Sequence, residues 1–209
     1  MGWFLSNLRY VAWTALAVGL LFFIAYAMGA QGRTPSDPAF WEAGFRWLHV
    51  LSGIMWIGLL YYFNFVQIPN MPKIPDEQKP AIGKVIAPAA LFWFRWAAMS
   101  TLLFGIALAG TRGYLISAYT LNLVPSTSFG GSFVIFIGIG MWLATIMWFN
   151  VWFVIWPNQQ RALNIGNKYP DLAADVKAKA ARMAMLFSRT NTFLSVPMLV
   201  AMTGAQTLG

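Results

Sequence analysis

The sequence predicts an all-α membrane protein, a polytopic bundle of about five transmembrane helices, and three observations carry that expectation. Of 209 residues, 59% are hydrophobic and 10% charged, with mean hydropathy +0.61, whereas a soluble domain is usually about 25% charged. Uninterrupted apolar runs approach the length of roughly 20 residues that crosses a bilayer. Five of the eleven prolines (Pro69, Pro72, Pro75, Pro80 and Pro88) fall in one stretch between two of those runs, where a helix would be interrupted. The whole chain, 1–209, reads as a single membrane domain.

The first span runs over about 11–30. Its Ala25-Tyr26-Ala27 tripeptide imitates a signal-peptidase site, but the segment is read as a retained helix. A connection with Pro35 and Pro38 leads into the second span, about 43–66. The proline-rich stretch Gln67 to Ala90 is expected to lie in water. The third span, about 91–110, is followed by a sparsely charged connector with Tyr114, Tyr119 and Pro125. The fourth, about 133–156, is the most aromatic and ends at Pro157. Asp171 is placed as the cap of a short amphipathic surface helix with Lys177, Lys179 and Arg182 near its far end. The fifth span, about 183–202, carries Ser188, Arg189, Thr190, Asn191, Thr192 and Pro197.

Five spans put the termini on opposite sides. Nine loop cations (Arg9, Lys73, Lys79, Lys84, Arg161, Lys168, Lys177, Lys179 and Arg182) then share the N-terminal side, against Arg33, Arg112 and Arg46 on the other. The excess of positive charge places the N-terminus in the cytoplasm and the C-terminus outside. The net charge of +8 follows from this topology and from anionic lipid, not from nucleic acid. With no cysteine in the chain, disulfides, thiolate metal sites, iron–sulfur clusters and covalent c-type haem attachment are excluded. Walker, Rossmann, HExxH and nucleophilic-serine patterns are missing, and all six acidic residues are expected outside the spans, which argues against nucleotide and hydrolytic chemistry. The same lack of an intramembrane acid disfavours a proton-coupled transporter.

Inside the second span lies the one histidine of the chain. On a helix, Arg46, His49, Gly53 and Trp56 fall at i, i+3, i+7 and i+10 and so share a face. An ionisable residue within a span is a functional-site candidate by default. Three readings of His49 stand: a hydrogen-bonded interhelical residue, a ligand of haem or another redox group, or a proton- or substrate-handling group. A neutral imidazole in a dry apolar pocket suits haem ligation. With one histidine per chain, the opposite axial position falls to a methionine (Met55, Met141 or Met147), to an open site, or to His49 of a second copy.

The second and fourth spans echo each other. Met55-Trp56, six residues, Phe63-Asn64 is matched by Met141-Trp142, six residues, Phe149-Asn150. The helices that follow each carry an early arginine, Arg95 and Arg189, and a glycine fifteen residues later, Gly110 and Gly204. This pattern fits a parallel duplication of a two-helix unit. It also predicts a polar layer of Asn64, Asn150, Arg95 and Arg189 at similar depth, with the arginines either snorkelling to headgroups or holding an anion such as a haem propionate or an acidic substrate. The pairs Gly53/Gly58 and Gly138/Gly140 are expected at close helix contacts.

The string Arg46-Trp47-Leu48-His49, continuing through Trp56-Ile57-Gly58 to Tyr62-Phe63-Asn64-Phe65 and Pro69, resembles the urate oxidase N-terminal family, the membrane part of bacterial urate hydroxylases. The resemblance extends from about Phe40 to the last span. The His-x6-Trp-x-Gly helix is more distantly similar to membrane proteins of the protoporphyrinogen-oxidase and copper-resistance type. The resemblance implies a bacterial inner-membrane redox protein, with b-type haem iron on His49 and a propionate on Arg46. Urate hydroxylases of this family carry a C-terminal cytochrome c domain. The sequence contains no Cys-x-x-Cys-His, so the implied electron partner is a separate cytochrome c. The alternative is a non-catalytic accessory subunit of a larger respiratory complex; the expected partners are the lipid bilayer and either further copies of this chain, as a homo-oligomer, or such a complex.

Overall fold

The computed structural model describes residues 2–126 and 128–208, and among them there is no β-strand. After a single turn at Gly2–Leu5, the chain forms α1 (Leu8–Ala30), α2 (Pro38–Lys73), α3 (Lys79–Thr111), the one-turn α4 (Leu115–Tyr119), α5 (Gly131–Leu163) and α6 (Ala174–Leu208). Four of these, α1, α2, α3 and α5, are long and apolar enough to cross a membrane. The expected count of five is therefore reached in helices of sufficient length but not in helices of sufficient apolarity.

The helices outrun the expected spans because proline does not stop them where the sequence suggests. Only residues 74–78 separate α2 from α3, so most of the stretch 67–90 is helical, not a water-exposed loop. Proline lacks an N–H, and its ring crowds the carbonyl four residues earlier. A wider π turn takes up that crowding. The π segments Tyr62–Gln67, Ile82–Ile86 and Asn150–Ile155 each end two residues before a proline: Pro69, Pro88 and Pro157. Pro38 sits in the first turn of α2, where a missing donor costs nothing. The expected separate surface helix after Asp171 is instead the start of α6, which runs unbroken from Ala174.

Two hairpins make the bundle. α2 packs along α3, and α5 packs along α6, each pair antiparallel across a short connection. α1 leans on the side of α2, with Gly19 under the Trp47 ring and Phe23 against Phe40 at 5.1 Å between ring centroids. The larger core joins the hairpins through Trp56, Leu60, Phe94, Met147 and Val151. A smaller one seats α4 beneath α5 through Tyr114, Ala118, Phe133, Val134 and Ile137. Gly138 lets α4 approach α5, because a Cβ there would fall on the Ala118 carbonyl oxygen. Gly140 faces Ala201 and Met202 of α6, a Cβ there meeting Met202 Cγ at 3.1 Å. Gly58 meets nothing and Gly53 only Thr101 at 3.9 Å, so that pair is not a tight helix contact.

The low apolarity of α6 has a local cause. Ser188, Asn191 and Ser195 are buried on its inner face, and each is hydrogen-bonded. Asn64 Nδ2 donates to Ser188 Oγ at 2.8 Å. Asn150 Nδ2 donates to Asn191 Oδ1 at 2.8 Å, and Asn191 Nδ2 to the Met147 carbonyl at 2.9 Å. Ser195 Oγ meets Tyr61 Oη at 2.9 Å. Unpaired, such groups would be costly away from water; paired, they pin both hairpins to α6.

Candidate functional site

Between α2, α3, α5 and α6, on the side of the bundle where α2 starts, lies a mostly apolar cavity of about 640 Å³. That volume is in the range of small-molecule and cofactor pockets. Arg46, His49, Gly53 and Trp56 all line it, so the face read from helical spacing is a cavity wall.

His49 Nδ1 lies 2.8 Å from the backbone carbonyl oxygen of Thr101. A carbonyl can only accept, so Nδ1 carries the proton and Nε2 is left with its lone pair. Nε2 makes no hydrogen bond to the protein among the described residues. The ring reaches Thr101 because Gly105, one turn further along α3, has no side chain: a Cβ there would sit 2.9 Å from His49 Cε1 and 3.0 Å from Nδ1. Thr101 and Gly105 therefore fix ring plane and tautomer together, the arrangement found around metal-bound histidines.

We expect Gly105→Val to push the imidazole off Thr101, because the added side chain would overlap the ring. The nitrogen chemical shifts of the labelled His49 ring check this, and unchanged shifts would show that the ring needs no such seat.

The cavity mouth is polar. Glu42 Oε1 accepts from Arg46 at 2.8 Å and from Arg112 Nε at 3.2 Å, and Arg46 also donates to Gln206 Oε1 on α6. Arg112 lies over Phe129, 5.0 Å from its centroid, and beside Tyr114. Burial pushes the Tyr114 phenol above its ordinary range, opposed by the nearby charges of Arg112 and Arg46. One carboxylate between two guanidinium groups leaves the mouth with a cationic excess. Glu42 was expected outside the second span; the helix begins at Pro38 and carries it in its second turn.

Of the methionines weighed as a second ligand, Met141 lines the cavity, Met55 is on the exterior face of α2, and Met147 is sealed in the core. Met198 and Met202 of α6 also face the cavity, and nothing in their spacing marks them.

The expected polar layer separates into three environments. Asn64 and Asn150 are tied to α6 as described. Arg95 stacks on Trp156, with its guanidinium carbon 3.6 Å from the ring centroid, and lies 5.2 Å from the Trp152 ring. Its Nε and Nη1 are buried without hydrogen-bond partners, so the indole faces carry the stabilisation of the charge. Arg189 is exposed on the exterior of α6: Ser188, Asn191 and Ser195 share the inner face, and position 189 is a helical step of about 100° off it. None of the four lines the His49 cavity.

Residues 126–206 match the family described as urate oxidase N-terminal. The matched segment covers α5 and α6, not the α2 string that carries His49. No curated protein and no solved structure matches the chain.

Proposed function

We propose, from the match of residues 126–206 to the urate oxidase N-terminal family and from the His49 cavity, that the chain is an integral membrane redox protein of the urate hydroxylase type that holds b-type haem in that cavity. The observation that carries this reading is the imidazole itself: Nδ1–H fixed on the Thr101 carbonyl, Nε2 free, and an apolar cavity of about 640 Å³ beside it. The residues fit the group. His49 Nε2 would hold the iron, Arg46 would receive an acidic edge of the macrocycle, and Gly53 and Gly105 give room. The haem supplies an iron that takes up and releases single electrons. The chain's own part is to fix the imidazole, to exclude water with the apolar walls, and to place cationic charge at the mouth. Met141, Met198 and Met202 line the same cavity and could also hold the group, and the inward setting of His49 disfavours His49 of a second copy.

In this reading α6 is a fifth span, its polar groups absorbed by Asn64, Asn150 and Tyr61 inside the bundle. The charge asymmetry then supports a cytoplasmic N-terminus and a periplasmic C-terminus in a bacterial inner membrane, and a separate cytochrome c would serve as electron partner. The alternative is a non-catalytic accessory subunit of a larger respiratory complex. The absorption spectrum of the purified protein separates the two. A Soret band supports the redox reading. A colourless protein that always co-purifies with a respiratory complex supports the accessory one.

Arg46→Ala is expected to weaken haem retention, by about 1–2 kcal/mol if a charge-assisted contact is lost. Haem loss to a soluble acceptor measures it, and an unchanged rate removes Arg46 from the site.

A further inference from the structure

The walls of the His49 cavity are not all interior. Val50 and Ile54 on α2 and Leu199 on α6 line it, and they remain 52%, 68% and 41% exposed. Apolar side chains left open along a seam between two membrane-length helices would border hydrocarbon in a bilayer. α2 and α6 are joined near the cavity mouth by Arg46–Gln206 and deeper by Tyr61–Ser195 and Asn64–Ser188. Between Arg46 and Tyr61, α2 advances about 22 Å at 1.5 Å per residue. Within that interval α2 carries Gly53 and Gly58, and a Cβ at Gly58 would meet nothing within 4 Å. The route from the aqueous side is crossed by a polar cluster, in which Glu42, Arg46, Arg112 and Gln206 are tied to one another.

We propose that the gap between α2 and α6 is a side window through which the cavity takes its occupant from the bilayer, the occupant being an amphiphile with an apolar body and a carboxylate. The apolar lips pass the body. The cationic excess of Arg46 and Arg112 over Glu42 receives the acid, which replaces the Gln206 side-chain carbonyl on Arg46. Haem, with its acidic edge, is one member of this class, and to that extent the proposal rests on the reading of the cavity as a ligand site.

The test uses the purified chain in phosphatidylcholine nanodiscs, with the lips closed by Ile54→Trp and Leu199→Trp. Both positions are exposed, so the larger rings need no room in the core. Where the protein carries haem, the two substitutions together are expected to slow haem transfer to excess apomyoglobin by about tenfold, a barrier increase of about 1.4 kcal/mol. Ile54→Ala, which widens the window, should speed it. Transfer that ignores all three changes but accelerates when Glu42→Gln loosens the mouth would overturn the window.

Where the protein is colourless, the haem reading has failed, and the window is tested alone with a photoreactive fatty acid and its alcohol analogue. Carboxylate-dependent labelling of Gly53, Met198 or Met202, lost on Ile54→Trp, upholds the proposal. Labelling confined to lipid-facing residues such as Leu21 and Phe193, or equal for acid and alcohol, overturns it.

Discussion

His49→Ala is expected to leave a folded bundle without haem. The imidazole contributes one hydrogen bond to the fold, to a Thr101 carbonyl that also belongs to helix α3, and such a bond is worth about 1 kcal/mol. It is not part of either core cluster, so the helices keep their packing. On the proposed function a haem iron would lose its one imidazole ligand from this chain, and haem retention should fall by well over tenfold, the usual lower bound even for second-shell losses. The vacated space lies against Gly105 and opens to the cavity, so added imidazole can occupy it. Its partial restoration of the Soret band would separate loss of a ligand from loss of fold. A His49→Ala protein that keeps full haem would remove His49 from the site.

Gly138→Ala is expected to have the largest effect on stability. The added Cβ would fall on the Ala118 carbonyl oxygen and lie 3.0 Å from the carbonyl carbon and 3.1 Å from Leu121 Cδ2. A leucine end can swing aside; a helix backbone cannot. Either α4 lifts from α5 or α5 shifts, and both open the core formed by Tyr114, Ala118, Phe133 and Val134. Overpacking of this kind costs about 1–3 kcal/mol and more where backbone must move, so about 3 kcal/mol is expected, read as a lowered unfolding midpoint in detergent. The control is Gly58→Ala, whose Cβ meets open space inside a helix and which should be neutral or stabilising by up to about 1 kcal/mol. Equal effects at the two glycines would show that α4 is not docked as described.

The connection between these two sites and the sequence is uneven. The helical face of Arg46, His49, Gly53 and Trp56 was legible, because spacing along one helix fixes which side chains share a side. The cavity across from it was not. Thr101 and Gly105 orient His49 from another helix, and no periodicity in α3 reports which turn of α2 lies opposite. Met198 and Met202 escape notice for the same reason, and Gln206 lies 160 residues from Arg46. The Glu42–Arg46 pair does carry a signal, since opposite charges four apart on a helix meet, but a span begun at about residue 43 leaves Glu42 outside, whereas the helix starts at Pro38.

Proline misled in one place and informed in another. The run of prolines after Gln67 reads as a loop, yet Pro69 and Pro88 are carried in helices widened by π turns. The echo of Phe63-Asn64 in Phe149-Asn150 marks a shared device. Both asparagines sit in π segments and donate to α6, one to Ser188 and one to Asn191. The layer expected from that echo omits the partners on α6 and includes Arg189, which a helical wheel of α6 turns about 100° or more away from Ser188, Asn191 and Ser195, onto the exposed exterior.

The family match covers α5 and α6, while the candidate ligand stands on α2. The single histidine makes the link between them directly measurable. With heavy-nitrogen-labelled histidine incorporated, pulsed electron paramagnetic resonance of the oxidised protein reads the nitrogen bound to iron, and any histidine signal is His49. Coupling of one labelled nitrogen to a haem iron is the predicted result. A haem signal with no labelled nitrogen coupled to it, or no haem signal at all, would contradict the account.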